Sequence, residues 1–258
     1  MKDLTIGVLL SIKYYIRDRY YLIKALISAY RPYSRTVRKR NGLEIGGPSK
    51  IFKFLLPVYR YCDSMTFVNY ADETIWEGKL NQKTFYLNSK SGNQFISEAS
   101  ELSSFEKNSF DFIVSSNCLE HVANPLKALD EWRRVCNGNI ILILPKKEFN
   151  FDHKRPFTTF EHILSDFNGN IGEDDLTHVE EILDLHDLER DAAAGSFEDF
   201  KLRSLNNFKN RCLHHHVFNN ELINKMAAHV GLKVMAEGKV TGNMIFLLAN
   251  QEIDFLHK

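Results

Sequence analysis

The stretch NGLEIGG, residues 41–47, places a carboxylate and two adjacent glycines at the end of a short apolar run. Glycine has no Cβ atom, so a ligand can approach the backbone closely at Gly46 and Gly47. Glu44 adds a negative charge, which repels a pyrophosphate and attracts a cationic ligand. These residues predict a binding site for a small ligand that carries positive charge.

The elements that position these residues alternate between strand and helix. Strands are predicted at GLEIGG, MTFVNYAD, QFISEA, FDFIVSS and NIILILP, and helices at SKIFKFLLPVYRYC and LKALDEWRRVC, the latter opened by Pro125. Strands this apolar, alternating with helices, are typical of a parallel sheet covered on both faces. Ligands bind such a sheet at the carboxyl ends of its strands, where Glu44 and the glycines are expected.

The C-terminal part predicts a helix at NNELINKMAAHVG and then two strands joined by a short turn at LKVMAEGKVTGNMIFLLAN. A short connection makes the last strand antiparallel. We therefore predict an α/β fold, a Rossmann-like seven-stranded sheet with the last strand antiparallel and helices on both faces. It spans residues 41–258, with an N-terminal helical segment at 1–40 and a helical insertion at about 150–216.

Composition indicates one globular domain, because 44% of the 258 residues are hydrophobic and 26% are charged. The four cysteines are scattered without C-x-x-C spacing, and no cleavable signal peptide is recognised. We therefore expect a cytoplasmic protein without disulfides or a zinc site.

Charge is strongly segregated along the chain. Residues 1–40 carry ten basic and two acidic side chains, whereas residues 161–200 carry thirteen acidic side chains and one arginine. These blocks suggest mutual attraction within one chain or in a homo-oligomer.

The uncharged run at 4–12 is too short to span a bilayer. The basic segment is interpreted as helices that pack on the domain or, alternatively, as an interfacial helix at the inner membrane face.

Several motifs resemble the class I S-adenosylmethionine-dependent methyltransferases, over residues 41 to about 145 and near 219–250. Glu44 and Gly46 begin the family's E/D-x-G-x-G-x-G motif, and Pro48 and Lys50 replace its later glycines. VNYAD and SEASEL follow in family order. The stretch SFDFIVSSNCLEHVANPLKALDEWRRVCNGNIILILP is similar to the family's sFDlvlssevLEHv segment and its continuation, nearly position by position.

The resemblance implies S-adenosylmethionine as cofactor and S-adenosylhomocysteine as product. Asp72 is expected at the ribose hydroxyls, with Asn69 as the alternative, and Glu98 and Ala99 are expected at the adenine. Glu44 has the alternatives of capping a neighbouring helix or pairing with one of the basic residues just upstream. The predicted cofactor-binding residues are Glu44, Gly46, Gly47, Asp72, Glu98, Ala99, Ser116 and Asn117.

Methyl transfer to an alcohol requires a base, because the attacking hydroxyl loses a proton. The candidate catalytic residues are His121 in the LEHV motif, His153 and His216. His121 has the alternative of orienting its loop.

Two segments, NFDHKRPFTTFEH and CLHHHVF, resemble a bacterial methyltransferase subfamily associated with surface-polysaccharide biosynthesis. This implies a sugar hydroxyl as acceptor. The predicted substrate-binding residues are Asp152, Lys154, Arg155 and His214.

Metal binding is weighed because His214 and His216 would lie on the same side of an extended segment. A polar loop with ordered histidines is the preferred interpretation, and the acids Glu173, Asp174 and Asp175 are interpreted as a solvated lid. We therefore expect no metal.

Other function classes are weighed against the methyltransferase. A short-chain dehydrogenase needs Y-x-x-x-K near the fifth strand, and the only instances, at 20–24 and 86–90, lie upstream of the fourth. Nucleic acid is not expected as a partner, because the domain has no basic stripe interleaved with aromatics. The remaining alternatives are a methyltransferase acting on another small molecule or a lipid, and a non-catalytic binding protein on the same fold.

Overall fold

The computed structural model describes residues 30–76, 78–80 and 91–251. The basic segment up to residue 29 lies outside the described residues, and with it the predicted membrane contact and the predicted docking of the acidic insertion. Of residues 1–40, the helix α1 at Arg31–Val37 is described, and it contributes the buried side chains of Tyr33 and Val37. A homo-oligomer stays a prediction.

A seven-stranded sheet forms the centre of the described chain. Its strands are β1 (Asn41–Ile45), β2 (Ser64–Asn69), β5 (Asn93–Ile96), β6 (Phe110–Ser116), β7 (Cys136–Pro145), β8 (Leu232–Val240) and β9 (Asn243–Asn250). The spatial order is β5-β2-β1-β6-β7-β9-β8. The last strand, β9, pairs antiparallel with β7 and β8, and the other neighbours in the sheet are parallel. The predicted fold class is confirmed. Two short strands, β3 (Glu73–Thr74) and β4 (Gly78–Lys79), form a separate hairpin.

Helices cover both faces of the sheet. After α1 they are α2 (Val58–Tyr61), α3 (Pro125–Val135), α4 (Phe160–Asn168), α5 (Val179–Leu185), α6 (Phe197–Leu205), α7 (Asn207–Asn210) and α8 (Asn220–His229). Side chains alternate along a strand, so β6 sends Ile113 into the cluster that holds Trp132 of α3, and Phe112 into the opposite cluster that holds Tyr59 of α2.

One predicted helix, and part of the predicted helical insertion, are less helical than their sequence patterns suggested. The stretch at residues 49–62 forms a π-helical turn at Ile51–Leu55 and then α2, separated by Pro57. Proline lacks an amide hydrogen and disfavours helical geometry at the residue before it. The acidic stretch at 174–195 is α-helical only over α5, because Asp175 and Asp187 bond to nearby amides in local turns.

Among the described residues, no helix has the length and apolar character to cross a bilayer.

Candidate functional site

A cavity of about 340 Å³ opens at the carboxyl ends of β1, β2, β5 and β6. This volume lies in the range of about 300–1,000 Å³ typical of small-molecule sites. Predicted cofactor-binding residues that line it are Gly46, Glu98, Ala99, Ser116 and Asn117. Their contact with a cofactor stays a prediction, but they meet at one place.

The first strand ends in a tight turn that leaves room for a ligand. Gly46 has a φ of +80°, and a Cβ atom there would lie 2.8 Å from Cys118 Sγ. Asn117, at the end of the neighbouring β6, is also left-handed with a φ of 49°. Left-handed residues at adjacent strand ends are typical of ligand sites, where the surrounding fold compensates the strain.

Glu44 lies behind this turn and is fully buried. Its Oε1 accepts hydrogen bonds from the Ser49 amide at 2.9 Å and the Ser49 hydroxyl at 2.5 Å, and its Oε2 accepts one from the Tyr59 hydroxyl at 2.5 Å. Gly47 packs so closely that an added Cβ would lie 2.2 Å from Glu44 Cδ. Neither Glu44 nor Gly47 is among the residues that line the cavity. In this structure the carboxylate holds the turn in place through Ser49 and Tyr59, and its contact with a cofactor stays a prediction.

At the end of β2 the structure favours the alternative residue. Asn69 is buried, lines the cavity, and donates a hydrogen bond from Nδ2 to the Gly47 carbonyl at 2.7 Å. Asp72 is exposed and is not among the described residues that line the cavity. The reason is that β2 ends at Asn69, after which the chain turns toward the β3–β4 hairpin.

The insertion closes the cavity through two residues that the sequence analysis did not select for binding. Arg211 Nη2 lies 2.5 Å from Glu98 Oε1, and Arg211 Nη1 lies 3.8 Å from Glu173 Oε2. Burial raises the pKa of Glu173 to about 7. Glu173 accepts a hydrogen bond from the Ala123 amide at 3.2 Å. Glu173 therefore forms part of the cavity wall and does not belong to a solvated lid. The local sequence could not indicate this position.

His121 lines the cavity with a defined tautomer. Its Nδ1 lies 3.0 Å from the Leu213 carbonyl oxygen, which can only accept, so Nδ1 carries the proton and Nε2 has the lone pair. Burial and then the neighbouring His214 lower the pKa of His121 well below its usual value. The ring is therefore neutral at neutral pH.

A buried group of charges supports His121 from outside the cavity. His214 Nδ1 lies 2.5 Å from Asp152 Oδ2, and the His214 ring centre lies 4.6 Å from that of His121. Burial alone would raise the pKa of Asp152, but His214 and Arg155 together hold it at about 2. Burial alone would lower the pKa of His214, and Asp152 reverses this and raises it.

Arg155 is enclosed by protein groups and is only 1% exposed. Its guanidinium donates to Asp152 at 3.0 Å, to Glu181 at 2.8 Å, and to the carbonyls of His214 and His215 at 2.7 and 3.2 Å. The sequence predicted that Asp152, Arg155 and His214 bind the acceptor. In this structure their polar groups bond to one another instead, and none of the three lines the cavity.

The other predicted residues also lie apart from the cavity lining. Lys154 is exposed. His153 pairs with Asp187, with 2.6 Å between Nε2 and Oδ2. His216 is buried, and its Nε2 lies 3.1 Å from the Ala123 carbonyl oxygen. Catalytic roles for His153 and His216 stay predictions without a contact to this cavity.

Glu120 is a buried acid beside the cavity wall that the sequence analysis did not select. It is 1% exposed, and neither carboxylate oxygen has a hydrogen-bond partner among the described residues. Burial raises its pKa to about 7. One of its oxygens lies within 4.8 Å of ring nitrogens of His121 and His214. Its place in the LEHV motif was the available signal.

Comparison with known proteins gives one family match. Residues 44–144 match the family model described as "Methyltransferase domain". No curated protein matches the sequence.

Solved structures with a similar chain path have low sequence identity. A SAM-dependent methyltransferase from Aquifex aeolicus is 16% identical, with 86% of this chain and 87% of that chain covered and a TM-score of 0.47. One from Methanosarcina mazei is 16% identical, with 86% and 97% covered and a TM-score of 0.48. A putative sarcosine dimethylglycine methyltransferase from Galdieria sulphuraria is 14% identical, with 90% and 86% covered and a TM-score of 0.48.

Proposed function

We propose that this chain is an S-adenosylmethionine-dependent methyltransferase and that it transfers the methyl group to a sugar hydroxyl. The match of residues 44–144 to a methyltransferase domain supports the enzyme class. The sugar belongs to a bacterial surface polysaccharide, O-antigen or capsule, or to its precursor. The observation that carries the proposal is His121, a neutral imidazole in the cavity wall with Nδ1 bound to Leu213 and a lone pair on Nε2.

The residues around the cavity fit the cofactor. Gly46 leaves backbone space that a Cβ would fill, Asn69 offers an amide at the position expected for the ribose, and Glu98 offers a carboxylate at the position expected for the adenine. When bound, S-adenosylmethionine supplies an electrophilic methyl group. The chain must align an acceptor with that methyl group and exclude water.

His121 is the base in this proposal. Its Nε2 accepts the proton that the acceptor hydroxyl loses as the oxygen attacks. The Leu213 carbonyl fixes the tautomer and the ring orientation. The ring of His214, protonated beside Asp152, lies next to His121. Its positive charge disfavours a second one and keeps the His121 ring unprotonated before the reaction.

Two observations support a sugar as acceptor. The segments whose sequence resembles the polysaccharide-associated subfamily, around residues 150–162 and 212–218, contribute Asp152, Leu213 and His214 to the support of His121. Trp76 lines the cavity, is 51% exposed, and has its ring centre 5.1 Å from that of His121. An exposed indole offers a flat apolar surface with a polar edge, which suits one face of a sugar ring.

The test combines binding and transfer. Calorimetric titration with S-adenosylmethionine and S-adenosylhomocysteine is followed by mass spectrometry of nucleotide sugars, lipid-linked saccharides and small phenols incubated with enzyme and cofactor. We expect cofactor binding and methylation of a saccharide. His121→Gln should keep cofactor affinity and lose transfer, while His229→Gln, an exposed histidine on α8, should keep both.

Each alternative gives a different result. Methylation of a phenol or a lipid but no saccharide would contradict the acceptor class and leave the enzyme class intact. Cofactor binding without transfer to any compound in the panel would favour the non-catalytic protein. A folded protein that binds neither cofactor nor product would overturn the whole proposal.

A further inference from the structure

Four side chains of types that bind metal ions converge in the insertion, and none of the four lines the cavity. His162 and Asp166 lie on α4, four residues apart and therefore on one face of the helix. His178 immediately precedes α5, and His216 lies in the segment before α8. One ligand atom from each side chain lies within 4.8 Å of the other three.

The measured separations resemble those between the ligands of a tetrahedral zinc ion. His162 Nε2 lies 3.2 Å from His178 Nε2 and 3.3 Å from Asp166 Oδ2, and His216 Nε2 lies 3.7 Å from Asp166 Oδ2. Zinc binds imidazole nitrogen and carboxylate oxygen at about 2.0–2.2 Å, and tetrahedral geometry then separates ligand atoms by about 3.3–3.5 Å. Three imidazoles and one carboxylate are a ligand set that suits zinc.

The polar groups of this cluster are not satisfied by the protein alone. Asp166 Oδ2 and His216 Nδ1 are buried and have no hydrogen-bond partner among the described residues. The two Nε2 atoms of His162 and His178 face each other at hydrogen-bond distance, so only one of them can carry a proton. A buried polar atom without a partner costs about 1–3 kcal/mol, and a cation would remove this cost for Asp166.

A neighbouring cluster that shares His178 does not fit a metal. His215 Nε2 accepts a hydrogen bond from Asn207 Nδ2 at 3.1 Å, and the Asn207 orientation follows from its Oδ1 accepting the Leu213 amide at 2.9 Å. Nδ1 of His215 therefore carries the proton. That nitrogen faces Asp175 at 3.9 Å, and its proton cannot move to Nε2, which already accepts from Asn207, so it offers no lone pair to a cation.

We propose that His162, Asp166, His178 and His216 bind one structural zinc ion that ties the insertion together. When no metal is bound, His216 Nε2 carries the ring proton and lies next to the Ala123 carbonyl oxygen. On zinc binding this proton moves to Nδ1, and Nε2 becomes the fourth ligand atom. Protein groups take all four positions, as in structural sites. The ion joins α4, the start of α5 and the segment before α8, and Glu173 and Arg211 of the same region line the cavity.

The test measures zinc and stability in the full chain. Protein purified from zinc-supplemented cells is dialysed, and its metal content is determined by mass spectrometry. We expect about one zinc ion per chain in the unaltered protein and in the control His229→Gln, and loss of zinc in His178→Gln and Asp166→Asn. Chelation should lower Tm of the unaltered protein and the control, and leave Tm of the two ligand variants unchanged.

Several results would overturn the proposal. One is substoichiometric zinc in the unaltered, folded protein, which does not depend on whether any variant folds. Another is loss of zinc in Glu120→Gln with zinc retained in His178→Gln, which would assign the ion to the Glu120–His121–His214 group beside the cavity. Replacement by Co²⁺ that gives the weak absorption of an octahedral ion would also contradict the tetrahedral site.

Discussion

Asp152 and His214 lie 62 residues apart in the sequence, and in the fold Asp152 Oδ2 and His214 Nδ1 are 2.5 Å apart. The same carboxylate accepts a hydrogen bond from Arg155 at 3.0 Å, and all three side chains are buried. Asp152 therefore bonds to two positive groups away from water, and Glu181 is a second carboxylate on Arg155. Such a group is sensitive to the loss of one member, because the others remain buried without compensation.

We expect Asp152→Asn to lower the free energy of unfolding by about 3–5 kcal/mol, since the protonated His214 loses its counter-charge and Arg155 keeps only Glu181. Urea denaturation followed by circular dichroism measures the change. The control is Asp184→Asn, an exposed carboxylate on α5, which should change stability by no more than about 0.5 kcal/mol. Equal losses in the two variants would contradict a special role for Asp152.

The pH dependence of methyl transfer should report the His121 pKa. Only the neutral ring can accept a proton at Nε2, and burial with His214 lowers this pKa well below its usual value. Activity is therefore present at neutral pH, and it is lost only as pH falls through the lowered pKa. We expect kcat to be flat above the usual histidine value of about 6.5 and to decline at lower pH.

Replacing His121 by Gln should lower kcat by about 10²- to 10⁴-fold and remove this acidic limb. A kcat that rises with pH well above 6.5 in the unaltered enzyme, with the same profile in the variant, would show that another group is the base.

Gly46 and Gly78 form a matched pair for testing the cofactor turn. Both have left-handed backbones, with φ of +80° and +62°, so alanine at either position costs about 1–2 kcal/mol of strain. A Cβ at Gly46 would also lie 2.8 Å from Cys118 Sγ in the cavity wall, whereas one at Gly78 meets no atom of the described residues within 4 Å. We expect Gly46→Ala to weaken S-adenosylmethionine binding by at least about 10-fold and Gly78→Ala to leave it unchanged, measured by calorimetry. Equal affinity in the two variants would place the cofactor elsewhere.

Asn69 and Asp72 can be separated by the same titration. Asn69 lines the cavity and bonds to Gly47, whereas Asp72 is exposed. We expect Asn69→Ala to reduce cofactor affinity by about 10-fold, corresponding to the loss of about 1.4 kcal/mol, and Asp72→Ala to change it little. The opposite result would restore Asp72 as the ribose-binding residue and imply that the segment after β2 moves when the cofactor binds.

Much of the fold could be predicted because it depends on local patterns. The apolar run at 110–116 predicted β6 with its observed bounds, and Pro125 begins α3 as expected. The short connection at residues 241–242 was sufficient to predict the antiparallel last strand. The predicted helical stretch at residues 49–62 was too long because Pro57 interrupts it. The acidic stretch at 174–195 was less helical than its pattern indicated because its polar side chains bond to local amides.

The candidate site was predictable only in part. The strand pattern by itself placed Gly46 at the carboxyl end of a parallel strand, and the family resemblance added Glu98, Ala99 and Asn117 to the same site; all four line one cavity. Spacing along the chain did not show which charged side chains would face an open cavity.

Only the tertiary structure decided that Arg155 is enclosed, and that His162 and His178 lie beside His216. The physical reason is that burial and hydrogen-bond partners come from segments far apart in the chain. The same histidine type is therefore a base candidate at His121, part of a buried charge pair at His214, and a proposed zinc ligand at His216, depending on which atoms pack against its two ring nitrogens.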